Sequence, residues 1–302
     1  MAVLPTKDPR LHAFDYIIIG AGSAGCVLAH RLSEDPGVRV LLLEAGGRDW
    51  HPFIHMPAGL AKLSGNKHVN WDYYTVAEKQ LDNRTLWWPR GKVLGGSSSI
   101  NAMCYIRGHA RDYDEWAAHG ATGWDWQSVL PYFKRSEGNV RGADAYHGAD
   151  GPLTVSDLRY VNPLTEVFVE AGVQAGIPRN DDFNGAMLEG VGVYQVTQRD
   201  GARCSAAVAY LHPVRDRKNL VVRTDAMVTR ITFDKGRTNG VTAVVSGQAF
   251  HFEATREVLL CGGAINSPHL LMLSGIGPAR ELQRHGIPVV HDAPNVGENL
   301  QD

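Results

Sequence analysis

No run of apolar residues in this 302-residue chain approaches the roughly 18 that a membrane-spanning helix needs. The N-terminal MAVLPTKDPRLHAF holds no apolar core of the kind a secretory signal carries. Cysteine is scarce. Cys26, Cys104, Cys204 and Cys261 lie far apart, nowhere spaced C-x-x-C, which argues for reduced, mostly buried thiols in a cytoplasmic protein and against a disulfide framework or a zinc site. An excess of one charge is missing too. Thirty Lys and Arg against 32 Asp and Glu leave a net charge of −2 with no long single-sign run, so nucleic acid and an anionic membrane surface are poor candidates for the main partner. Peripheral membrane contact, at the inner face, stays open. What is present is 44% apolar residues, enough to fill one large core or two moderate ones.

The rest of the chain is organised around Phe14–Gly25, FDYIIIGAGSAG. Asp15–Ile19 is a short, β-branched apolar run that predicts a buried strand. Gly20-Ala21-Gly22-Ser23-Ala24-Gly25 follows, and Cys26–Leu32 has helical spacing. Strand, glycine turn and helix together form the context in which G-x-G-x-x-G signals a dinucleotide site. Gly20 permits the tight turn, Gly22 lets a pyrophosphate reach the backbone, and Gly25 lets the helix pack on the strand. The helix aims its free N–H groups and positive dipole end at the phosphates. A second strand, Val38–Leu43, ends at Glu44, 24 residues after Gly20. A carboxylate there accepts hydrogen bonds from a ribose 2′-OH and repels a 2′-phosphate, which favours NAD or FAD over a phosphorylated relative.

Two later stretches are as unusual. Trp88–Asn101, WPRGKVLGGSSSIN, is no Walker loop, because Lys92 precedes the glycine pair, and no nucleophile elbow, because G-x-S-x-G is absent. It offers closely spaced backbone N–H groups, small hydroxyls and one amide, which can line a flat, anionic cofactor. Val258–Ala264 reads as a buried strand running into Gly262-Gly263-Ala264, with Ser267 as N-cap and Pro268 opening a helix over His269–Leu273. Such a strand end is where a ligand sits on a parallel sheet.

Between these blocks, residues 48–83 read as a loop bearing proline and aromatic residues that covers a ligand. Residues 111–137 read as two short helices separated near Gly120–Gly123, with Trp116, Trp124, Trp126, Tyr132 and Phe133 in the core. A strand is expected at Pro152–Val155, a helix at Pro163–Ala175, a half-buried strand over Val191–Gln198 and a short helix over Ser205–Tyr210. Strands at 220–223, 228–233, 240–245 and 250–253 predict a meander inserted as a small separate layer. A helix at Arg280–His285 and a strand at Ile287–Val290 follow. No metal site is expected: prolines disfavour the helix that would pair His51 with His55, and Asp181–Gly185 lacks calcium-loop spacing.

Together the three blocks resemble the glucose–methanol–choline (GMC) oxidoreductases. RGKVLGGSSSINAMCYIRG (Arg90–Gly108) resembles the first signature of that family and GAINSPHLLMLSGIGP (Gly263–Pro278) the second, both highly specific. IHMPAG (Ile54–Gly59), WPRGK and NLQD (Asn299–Asp302) are most similar to the choline and long-chain alcohol dehydrogenase branch. The resemblance implies an α/β fold: a Rossmann-like FAD-binding domain, a parallel sheet with helices on both faces and an inserted β-meander, plus part of an α+β substrate domain. The division expected is a loose arm at 1–13, an FAD-binding domain at 14–47, 84–150 and 205–302, a covering loop at 48–83, and part of the substrate domain at 151–204.

The family likeness further implies that Gly20, Gly22, Ser23, Ala24 and Gly25 hold the FAD pyrophosphate, with Glu44 and Ala45 at the adenosine ribose. Arg90, Val93, Gly96, Ser97, Asn101, Ala102 and Met103 would lie along the pyrophosphate and flavin, Val228 at the adenine, and Cys261, Gly262 and Ala264 close to the cofactor. Some members attach flavin through a histidine just before the asparagine; Ile100 stands there, so noncovalent FAD is expected. The activity implied is oxidation of a primary alcohol, choline or aliphatic, to the aldehyde by hydride transfer to flavin, with electrons passed to a quinone-like or other carrier rather than NAD. The catalytic histidine of the family lies in a C-terminal part with no counterpart here. None of the 13 histidines falls in a matching segment, so no catalytic residue is assigned. The chain reads as the N-terminal part of such an enzyme, or else as a non-catalytic flavin-binding fragment or pseudoenzyme.

Overall fold

The computed structural model describes residues 13–63 and 65–300; the arm expected at 1–13 lies, but for Ala13, outside the described residues. Contacts group the chain into two compact units, one of Met1–Ile54, Ala61–Ile100 and Ala206–Asp302, the other of His55–Leu60 and Asn101–Ser205. In chain order the longer elements are β1 (Ala13–Ile19), α1 (Ser23–Leu32), β2 (Val40–Leu43), α2 (Ala110–Ala118), α3 (Trp126–Ser136), β3 (Glu137–Asn139), β4 (Leu153–Val155) and α4 (Pro163–Gln174). They continue with β5 (Leu220–Arg223), β6 (Ala226–Asp234), β7 (Arg237–Val245), β8 (Gln248–Leu260), α5 (Gly263–Leu273) and α6 (Ala279–Arg284).

The first unit is built on one six-stranded sheet in the order β6-β7-β8-β1-β2-β5. β1 runs parallel to β2 and β8, and β2 parallel to β5, while β6, β7 and β8 pair antiparallel. The meander is therefore continuous with the parallel sheet. β8 is long enough to serve both: Gln248–Glu253 pair with β7, and Glu253–Leu260 with β1. Ile17, Ile18, Val40, Leu41 and Leu42 are wholly buried, as central parallel strands covered on both faces must be. Ile17, Ile19, Leu41 and Leu43 share one face with Ile231, Val241, Phe252 and Leu270. Burying each such side chain stabilises the fold by about 1.5–3 kcal/mol relative to exposure. On the other face α1 lies against Ile18, and a Cβ on Gly25 would run into the Gly20 carbonyl.

α5 begins at Gly263, so Ser267–Pro268 does not start a helix as the sequence suggests; Pro268 sits inside it. So near the N-terminal end, proline forfeits one backbone hydrogen bond, and the sheet and the glycine turn fix where the helix starts. The Ile287–Val290 strand does not form either. Val290 donates its N–H to Gly275, and the only pairing there is the two-residue ladder of Ile276–Gly277 with His291–Asp292.

In the second unit, contacts group 101–150 with 151–205, and a buried polar network shows why. Glu137 Oε2 accepts from Arg107 Nη2 at 2.7 Å, His147 Nδ1 lies 2.9 Å from Glu137 Oε1, and His147 Nε2 lies 3.0 Å from Asp182 Oδ2. Asn139 and Gln195 exchange amide hydrogen bonds beside it. The helices are capped as the sequence favours: Asp125 Oδ1 accepts from Ser128 N, and Asn162 Oδ1 from Leu164 N ahead of Pro163. The core aromatic cluster is smaller than expected. Tyr113 is buried against Trp126 and Phe133, but Trp116, Trp124 and Tyr132 are 50–70% exposed, because the short helices α2 and α3 bury one face only. Val191–Gln198 is no continuous strand: only Val191 and Val196 make isolated bridges before Gln198 enters a two-residue hairpin.

Candidate functional site

A cavity of about 960 Å³ opens in the first unit, at the upper end of the roughly 300–1,000 Å³ of ordinary ligand pockets. The three glycine-rich blocks meet there. Gly22, Gly96 and Gly263 all line it, and a Cβ on Gly96 would stand 2.7 Å from Gly22 Cα. A Cβ on Gly20 would stand 2.5 Å from the Cys261 carbonyl oxygen, and one on Gly91 would strike the Gly96 carbonyl. The turns approach this closely because they carry no side chains. Gly20 (φ +96°), Gly96 (φ +54°) and Gly263 (φ +83°) also take the left-handed backbone that favours glycine.

From the first turn Gly20, Gly22, Ser23 and Ala24 face the cavity, and from the end of β2, Glu44 and Ala45. Arg90, Gly96 and Ser97 come from the second block, Val228 from β6, and Cys261, Gly262 and Ala264 from the third. Gly25 is pressed on Gly20, and Val93 is wholly buried with Ile54, Leu63, Val69 and Ile100. Asn101, Ala102 and Met103 belong to the second unit, where Asn101 Oδ1 accepts from Met103 N and Arg203 Nη1. Ile100 is buried in the apolar cluster.

Two helix N-termini open on this space. α1 and α5 have Gly22 and Gly262 as their N-cap residues and no side-chain cap, so their first-turn N–H groups remain for another acceptor. A Cβ at Gly22 would meet no protein atom within 4 Å. The open side of the turn is where an anionic group can approach backbone. Glu44, 5% exposed, accepts from Ala21 N and Gly46 N at 2.8 Å each. Burial raises its pKa, against those two hydrogen bonds and the charge of Lys92, which favour the carboxylate. Each of its oxygens retains a lone pair for a hydroxyl donor. Glu44 and Arg90 are the charged side chains on the wall, and Arg90 is held over the Trp88 ring at 5.1 Å.

Two further parts of the wall are not among the cofactor-binding residues that the sequence suggests. One is a hairpin with strands Tyr73–Tyr74 and Trp87–Trp88, which contributes Tyr73 and, just before its first strand, Trp71. Asp72 between them has φ +57°, and the two rings stack with centroids 5.8 Å apart. The other is the first turns of α5, with Asn266, Ser267 and an exposed His269. The alternation of Trp71 and Tyr73 was the available signal for the first, and the helix start at Gly263 for the second.

Among the described residues no helix is long and apolar enough to cross a membrane, and no cluster of side chains could hold a metal ion. Residues 14–302 match the family model described as GMC oxidoreductase. The chain is 54% identical to an alcohol dehydrogenase (acceptor) of Pseudomonas putida, over 96% of this chain and 53% of that one. It is 51% identical to human mitochondrial choline dehydrogenase, over 96% of this chain and 50% of that one. The crystal structure of pyridoxine 4-oxidase from Mesorbium loti superposes with a TM-score of 0.90 at 39% identity, covering 93% of this chain and 56% of that one. This chain spans about half the length of the curated relatives it matches. A match over nearly every residue, with the signature glycines gathered on one cavity, makes this chain a member of the GMC oxidoreductase family.

Proposed function

We propose that this chain forms the FAD-binding part of an oxidoreductase that converts a primary alcohol, choline or an aliphatic alcohol, to the aldehyde. The observation that carries the reading is the convergence of Gly22, Gly96 and Gly263 on one cavity walled by two uncapped helix N-termini. Those residues fit a pyrophosphate-bearing cofactor. The first-turn N–H groups of α1, with Gly96 and Ser97 opposite, hold the phosphates; Glu44 accepts from the ribose hydroxyls; the wall at Val228 takes the adenine; Cys261, Gly262 and Ala264 lie along the remainder. Asn101, Ala102 and Met103 are assigned to the flavin side on family likeness alone.

When bound, FAD supplies the acceptor for the hydride that leaves the alcohol carbon. The electrons then pass to a quinone-like or other carrier rather than NAD. Ile100, buried among aliphatic side chains, offers no nucleophile, so the flavin is held noncovalently. The reaction also needs a base for the hydroxyl proton. No histidine of this chain is assigned that role; His269, on the wall, is exposed at the second turn of α5. The four unpaired cysteines are consistent with a cytoplasmic protein, peripheral contact at the inner membrane face remaining compatible.

A visible spectrum of the purified protein tests the reading: flavin absorption bands are expected, and a colourless protein that takes up no added FAD overturns it. The alternative reading is a flavin-binding fragment or pseudoenzyme. Turnover of an alcohol with an artificial electron acceptor separates the two.

A further inference from the structure

The hairpin carrying Trp71 and Tyr73 is firmly rooted and loosely tipped. At its root Val69 and Val93 are buried in an apolar cluster, and Asn70, 2% exposed, accepts from Asp72 N and Arg90 N through one side-chain oxygen. At its tip Tyr74 is 60% and Val76 81% exposed. Between root and tip, the Tyr73 hydroxyl donates to Asn266 Oδ1 at 2.6 Å, joining residues 193 apart in sequence. Both residues line the cavity, Tyr73 from the hairpin and Asn266 from the first turn of α5. Burial holds the Tyr73 hydroxyl above the ordinary phenol range, so it stays protonated and donates at any physiological pH. Because Asn266 spends its carbonyl oxygen on Tyr73, its amide nitrogen is left with two donors to offer the cavity.

We infer that the Tyr73–Asn266 hydrogen bond is the clasp that fastens this hairpin across the nucleotide cavity and sets how fast the nucleotide leaves, and that Tyr73 is a positioning residue, turning the Asn266 amide donors toward the bound nucleotide. The inference rests on the flavin-nucleotide reading above. The ring of Tyr73 keeps its place by stacking on Trp71, itself capped by Lys92 at 4.8 Å, so the hydroxyl can be removed without removing the wall.

Flavin release from the FAD-loaded protein, followed by the rise in flavin fluorescence on dilution, tests this. Tyr73→Phe is expected to speed release about three- to tenfold, the equivalent of one net neutral hydrogen bond, and to leave the association rate within about twofold of wild type. Asn266→Ala removes the same clasp from the other side. It is expected to speed release at least as much, and Tyr73→Phe added to it to change nothing further. Release from Tyr73→Phe at the wild-type rate, or a double variant whose effects multiply, overturns the clasp. Failure of the wild-type protein to take up FAD overturns the nucleotide reading instead, so the two failures are distinct.

Discussion

Gly22 and Gly25, three residues apart in one turn, do different work, and substitution separates them. A Cβ at Gly22 meets no protein atom within 4 Å, so Gly22→Val is expected to fold normally yet weaken FAD binding by more than about tenfold, measured by flavin titration. At Gly25 a Cβ would collide with the Gly20 carbonyl and press on Ile18. Gly25→Ala is therefore expected to lose about 1–3 kcal/mol of stability in urea unfolding even without cofactor. The G-x-G-x-x-G spacing showed in sequence that both positions need glycine. The same spacing assigned Gly22 to ligand approach and Gly25 to packing; the structure adds which atoms a side chain would meet at each. It does the same for Val93, which falls within a signature and is buried, because the chain turns it into the aliphatic cluster with Ile100.

At the scale of elements, the buried Arg107–Glu137–His147 network, with the half-exposed Asp182 at its edge, gives the second unit a pH dependence. Burial opposes protonation of His147, but hydrogen bonds and charge from Glu137 and Asp182 outweigh it, so its pKa is raised above 6.5. A histidine raised in the folded state contributes stability that is fully present below the unfolded pKa of about 6.5 and lost as pH rises through the folded one. The melting temperature is thus expected to fall as pH is raised from about 6.5, and His147→Asn to be less stable below that pH with a flatter profile. Capping acts locally: Asp125→Ala, which removes the bonds to Ser128 N and Oγ, is expected to destabilise the protein by about 1 kcal/mol in urea. Sequence periodicity located β1, β2, β5 and most helices well, because buried strands and capped helices write their signals locally. It failed at Ile287–Val290, where four apolar residues find no sheet edge to join, and at Pro268, where the sheet overrides a local cap signal.

For the molecule as a whole, the noncovalent assignment predicts that acid precipitation of the flavin-loaded protein leaves the flavin in the supernatant; yellow precipitate would contradict it. The chain's own residues specified the strand–turn–helix of a dinucleotide site, because glycine at a positive φ and a carboxylate at a strand tip are local requirements that few other residue types meet. Family membership was legible in the same way, in two contiguous signatures. The tertiary structure alone decided that turns some seventy and two hundred and forty residues apart share one wall, with Gly96 against Gly22 and Gly20 against Cys261. It alone brought Tyr73 to Asn266 and buried Glu137 beside Arg107 and His147. Such contacts depend on the order in which β8, β1 and β2 pair and on how closely unadorned backbones can approach, and neither is set by residues adjacent in the chain.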